Sequence, residues 1–166
     1  DAADVSSGAA AVWSIQSGEG IFGSSLAKIN DGKFIADAAN RDNSAECFVP
    51  ADGTVVSVTF PDGADILSVT TYAASGSGQV RSGQNYTLEY AKTNSSEFMP
   101  LVDYLNVLDP QNIDAPSTST KVSHAFTPGV LRDVGTLRFT FHNVGAGDGE
   151  TMYREIDVTT LADGSP

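Results

Sequence analysis

The feature that most constrains this chain is its recurrent two-residue alternation of apolar and small polar side chains, broken every few residues by turn signals. In residues 54–60 (TVVSVTF) Val56, Val58 and Phe60 alternate with Ser57 and Thr59. Tyr86, Leu88 and Tyr90 do the same in residues 84–91, as do Leu137, Phe139 and Phe141 in residues 135–142. A period of two places one set of side chains on each face of a strand, so each segment has one face to bury. No stretch between them carries a convincing helical period, and no βαβ unit can be drawn.

Further strands are expected at residues 45–49, 65–72, 121–126 and 151–160. Another in residues 98–108 is interrupted by Pro100, which argues for an edge or a bulge there. Asp52-Gly53 predicts a tight hairpin between 45–49 and 54–60, and Pro61-Asp62-Gly63 ends the latter strand. About eight strands then predict an all-β fold, an antiparallel β-sandwich of the jelly-roll kind. Sixteen glycines in a chain of 166 residues suit such a turn-rich domain, and the length fits one domain with a sizeable core.

Within that domain, residues 1–25 are expected to form an arm packed on a sandwich spanning 26–166. The arm docks through Val12, Trp13, Ile15, Ile21 and Phe22. Trp13, the sole tryptophan, is either a stacking platform or the anchor of this arm; its apolar neighbours favour the anchor. Residues 23–28 are expected to make one helical turn with a serine cap.

Charge excludes some partners. Nine Lys and Arg against 21 Asp and Glu give a net charge of -12, which repels nucleic-acid phosphates and anionic lipid surfaces. No apolar run approaches the length of a membrane span. The single Cys47 has no partner for an intramolecular disulfide and reads as a small core residue. His124 and His142 lie in strands without a nucleophile signature, and no phosphate-cradling or zinc-protease motif occurs. The domain is therefore expected not to be an enzyme, although 21 acids supply many carboxylate pairs by chance.

One turn stands apart. Asn30-Asp31-Gly32 exposes main-chain carbonyls and a carboxylate, the hard oxygen ligands that calcium takes, and Glu155 in the last strand is a candidate to close such a site. The alternative is an ordinary turn and an ordinary glutamate, and these residues alone favour it. Gly145-Ala146-Gly147-Asp148-Gly149 matches one unit of a calcium-binding repeat, but such repeats bind metal only when stacked, so it reads as a hairpin loop.

The order of these segments carries a resemblance. Residues 26–32 (LAKINDG), followed by TVVSVTF, ILSVTTY, RSGQNYTLEY, LRFTFHN and finally REIDV, resemble the galactose-binding-like superfamily. Within it the chain is similar to discoidin-type domains, carbohydrate-binding modules and related domains of bacterial secreted surface proteins. The resemblance runs from about Leu26 to Thr160. It implies an eight-stranded jelly roll and a structural calcium ion, held here by the carbonyls of Lys28 and Arg154 and the carboxylates of Asp31 and Glu155. The chain departs from the family pattern at Lys33 and Phe34 and lacks the tryptophan that usually follows.

The resemblance also implies non-catalytic recognition of an oligosaccharide or polysaccharide by loops at one end of the sandwich, in a monomeric module of a larger secreted or cell-surface protein. That parent would be a glycoside hydrolase or lyase, or a surface protein. Sugars need an aromatic face and bidentate polar groups. Tyr72 with Gln79, Arg81 and Gln84 offers both, and Asn40, Arg41 and Asn43 add polar reach from a second loop. Arg81 reads equally well as a structural ion-pair partner. The competing function is a structural or adhesion domain that binds protein partners or acts as a spacer, which the aromatic content of 8% suits better.

Overall fold

A computed structural model describes residues 11–21, 23–30, 47–74, 83–106, 119–144 and 151–161. Among the described residues there are seven strands: β1 (Val12–Ser17), β2 (Thr54–Ala74), β3 (Gln84–Lys92), β4 (Met99–Asn106), β5 (Ser119–Ala125), β6 (Leu131–Phe141) and β7 (Met152–Thr160). All pairings are antiparallel. The first half of β2 lies between β1 and β6, and β3 and β4 extend this layer in the order β1-β2-β6-β3-β4. The second half of β2 pairs with β5 on one side and β7 on the other, forming the opposing layer.

The long β2 corrects an expectation. Pro61-Asp62-Gly63 does not end the strand; it marks the bend at which the chain passes from one layer to the other. The ladder to β6 skips from Thr59 to Ala64, so the missing N–H of Pro61 costs no ladder bond there. Gly63 supplies the bend with φ +75°. Pro100 behaves as expected: β4 is the edge of its layer, and its register with β3 shifts between Leu88 and Glu89, opposite Pro100.

No strand or hairpin forms at 47–49. Phe48 instead makes an isolated bridge to Tyr153, and Pro50 one to Gly20. The Asp52-Gly53 turn closes on β6, with Gly53 N–H donating to Phe141 O at 2.7 Å. Residues 26–28 form a single 3-10 turn whose Ser25 cap accepts from Ala27 N, matching the expected capped turn.

The alternating faces meet between the layers. Val56, Val58, Phe60, Leu88, Leu137, Phe139 and Phe141 are buried against Val69, Tyr153, Ile156 and Val158. Phe141 and Tyr153 touch across the interior with ring centroids 4.8 Å apart. Trp13 packs against this core and stacks on Phe139 at 6.3 Å, so it anchors β1. Cys47 is buried in a satellite cluster with Val49 and Met152.

The two ends of the sandwich differ. β1 begins and β7 ends at one end, where the links from β3 to β4 and from β5 to β6 are short. At the other end lie the strand boundaries at Ala74 and Gln84, Asn106 and Ser119, and Phe141 and Met152.

Candidate functional site: the loop end and the flank of the last strand

At the loop end, the turn after Pro50, the start of β3 and the exit of β6 are bound into one polar bracket. Asn143 N–H donates to Asp52 Oδ1 at 2.8 Å. Asn85 Nδ2 donates to Asn143 O at 3.0 Å, and His142 N–H to Asn85 O at 2.9 Å. His142 Nδ1 lies 3.6 Å from Asp52 Oδ1, with side chains 42% and 64% exposed. The hydrogen bonds thus hold an exposed imidazole and an exposed carboxylate beside two half-buried asparagines. Such a set can donate to and accept from hydroxyl groups without rearranging. The alternation that buries Phe139 and Phe141 leaves His142 on the outward side, but no local pattern in the sequence marks Asp52, Asn85 and Asn143 as its neighbours. Only the pairing of β3 with β6 and the closure of the Asp-Gly turn bring them together.

Tyr72 lies two residues before the end of β2, on the outer face of the smaller layer. Its register partners are Lys121 on β5 and Glu155 on β7, and the Lys121 ammonium stands 5.7 Å from the ring centroid. Burial pushes the Tyr72 hydroxyl pKa up, and the charge and hydrogen bond of Asp157 and the charge of Glu155 push it further. The phenol therefore stays protonated beside these acids.

Gln84 does not join that surface. It is wholly buried and accepts from Thr71 Oγ1 at 2.5 Å. Thr71 and Tyr72 are consecutive in β2 and point to opposite faces, so one strand cannot bring Tyr72 and Gln84 to a common ligand. Gln84 belongs to an interior polar cluster in which Tyr86 Oη meets His124 Nε2 at 2.6 Å. Burial holds the His124 pKa below its ordinary value and raises that of Tyr86. Asn40, Arg41, Asn43, Gln79 and Arg81 lie outside the described residues. Residue 74, from which the segment carrying Gln79 and Arg81 departs, does lie at the loop end.

The proposed calcium ligands are partly placed. Lys28 sits in the 3-10 turn, and the residues after it dock on the open edge of β7: Ile156 N–H donates to Ile29 O at 2.6 Å and Asn30 Nδ2 to Ile156 O at 2.9 Å. The start of the sandwich is thereby tied to its last strand, and the neighbours of Ile156 include Glu155, fully buried, and Arg154, 4% exposed. A carboxylate removed from water needs compensating positive charge or donors. Main-chain carbonyls and carboxylates are the hard oxygen donors that calcium takes, and Lys28 and Glu155 lie on the two elements that the Ile29 and Asn30 hydrogen bonds join. Asp31 lies outside the described residues, and among the described residues no three His, Cys, Asp or Glu side chains group as metal ligands.

No protein-family model matches the chain, and no curated protein matches it. Solved structures do. The family 32 carbohydrate-binding module of NanJ from C. perfringens, solved with galactose, superposes with a TM-score of 0.55 at 14% identity, covering 89% of this chain and 92% of that one. A second Clostridium perfringens module, in complex with GalNAc-beta-1,3-galactose, gives 0.57 at 11% identity over 90% and 94%. A pectin-binding carbohydrate-binding module gives 0.57 at 14% identity over 90% and 91%. At these identities the likeness shows the fold alone, that of an antiparallel β-sandwich.

Proposed function

We propose that this domain is a non-catalytic carbohydrate-binding module that takes a sugar at the loop end of its sandwich. The observation that carries the reading is the asymmetry of the fold. The strand ends at Ala74, Gln84, Asn106, Ser119, Phe141 and Met152 lie at one end together with the Asp52–Asn85–His142–Asn143 bracket, while β1 begins and β7 ends at the other. Modules of the same fold have been solved with sugars bound. Arg81, with Gln79, supplies bidentate polar contacts from the segment that joins β2 to β3. Asn40, Arg41 and Asn43 contribute from the segment before Cys47, and Tyr72 offers an aromatic edge on the flank. Gln84 supports this end from the interior.

Both histidines have roles that need no reaction: His124 is held by Tyr86 inside the fold, and His142 stands beside Asp52. Calcium bound by the Lys28 and Arg154 carbonyls with Asp31 and Glu155 would fasten the first turn to the last strand, a structural role. Among the described residues no helix is long and apolar enough to cross a membrane. The reading extends to a parent that is a secreted polysaccharide-active or cell-surface protein.

The test is Arg81→Ala, followed in both affinity and melting. Loss of charge-assisted hydrogen bonds should weaken sugar binding by about 1.5–3 kcal/mol with melting nearly unchanged. A fall in stability with unchanged affinity of the folded fraction would make Arg81 structural and remove it from the site.

A further inference from the structure

The outer face of the five-stranded layer carries a feature that the loop-end reading does not use. Two shallow depressions of about 470 and about 440 Å³ meet at Glu89. One runs from Gln16 and Ser17 on β1 past Val55 and Thr140 to Arg138; the other runs from Thr87 to Leu101 and Asp103 on β4. Together they cross all five strands. With neighbouring strands about 4.8 Å apart, the trough spans roughly 19 Å, room for several consecutive sugar rings.

Its centre is a preset polar pair. Arg138 Nε and Nη2 both donate to Glu89 Oε1, at 3.2 and 3.1 Å. The guanidinium also lies 3.6 Å from the centroid of the Phe98 ring. Pinned between a carboxylate and an aromatic face, it is immobilised before any ligand arrives. The pair engages Oε1 alone, so Oε2 and Nη1 take no part in it, and an acceptor and a donor stand side by side in the floor of the trough. That arrangement matches adjacent hydroxyls of a sugar ring.

The lining selects among ligand classes. Glu89 and Asp103 outweigh the single Arg138, in a chain of net charge -12, which disfavours uronates, phosphates and nucleic acid. The aromatic face that a protein partner would use as an anchor is already covered by Arg138. Hydroxyl and amide side chains make up much of the rest. We infer that this trough is a second binding site, for an extended neutral oligosaccharide lying across the strands. The choice of a sugar ligand rests on the proposed function; the placement rests on the trough itself.

Amide chemical shifts of the full chain, recorded during titration with neutral hexasaccharides of galactose, mannose and glucose, with free galactose, and with an oligogalacturonate, test this inference. At least one neutral hexasaccharide should move the amides of Ser57, Glu89 and Arg138, while free galactose and the oligogalacturonate leave them in place. Arg138→Lys, which keeps the charge but loses the fork, should weaken that response at least fivefold. Thr140→Ile, a strand-compatible change that removes a hydroxyl and fills the groove, should do the same without lowering the melting temperature. Sheet-face amides that stay still at saturating concentrations of all three hexasaccharides, or that respond equally in both variants, would overturn the inference. The amides of His142 and Asn143 report the loop end separately, so failure of one site is read apart from failure of the other.

Discussion

Ile29→Ala probes the joint between the first turn and the last strand. Ile29 has no exposed surface and belongs to the main core, and its carbonyl accepts the Ile156 N–H at 2.6 Å. The substitution removes apolar carbons worth about 0.8 kcal/mol each, hence about 2.4 kcal/mol for the three lost. A residual cavity adds to this, giving about 3–4 kcal/mol in all, inside the roughly 2–5 kcal/mol typical of such truncations. With a urea dependence of about 2 kcal/mol per molar, the unfolding midpoint should fall by about 1.5–2 M at unchanged slope. Fluorescence of Trp13, packed on the same core from β1, reports the transition. A loss below about 1 kcal/mol would mean that the turn is not seated on the core, and the docking of residues 29 and 30 on β7 would fail with it.

Calcium should raise the melting temperature of the wild type, with stabilisation approaching about 2.7 kcal/mol at a hundredfold excess over the dissociation constant. Excess chelator and Asp31→Ala should each abolish that gain, and identical melting with and without chelator would remove the ion from the account. His124 gives a pH dependence of defined sign. Its folded-state pKa lies below the ordinary 6.5 because of burial, so the unfolded chain takes up the proton first. Its contribution is fully present above about pH 6.5 and is lost as the pH falls from there through the folded pKa. His124→Gln should flatten that slope in urea melts at pH 5 to 8, and an unchanged slope would refute the assignment.

The sequence disclosed most about elements whose two faces differ. Residues 54–60, 84–91 and 135–142 alternate cleanly because one face meets the core and the other meets water, and each falls on a strand of the structure, the last to within one residue. Pro100 could be placed at an edge from its missing donor alone. The bend at Pro61-Gly63 misled, because the same residues that end a strand also let one pass between layers when no ladder bond is needed there. Residues 45–49 carry the strand expectation with the Asp52-Gly53 turn, whereas residues 47–49 bond to Ile21, Ser25 and, through the Phe48 bridge, Tyr153 rather than to β2. Gln84 clusters in sequence with Gln79 and Arg81 just after Tyr72, and only the three-dimensional position of Thr71 shows that its side chain is buried. The Asp52–His142–Asn143 bracket joins residues 91 positions apart, a proximity that local patterns do not encode.

The account stands or falls on whether the folded chain holds a sugar. The most direct measurement is a glycan array probed with the pure 166-residue protein, its folding confirmed by a cooperative melt in the same buffer. The account predicts retention on a subset of glycans above background, reduced by Arg81→Ala. A folded protein that retains none of them would contradict the carbohydrate-binding reading and leave a structural or adhesion domain in its place.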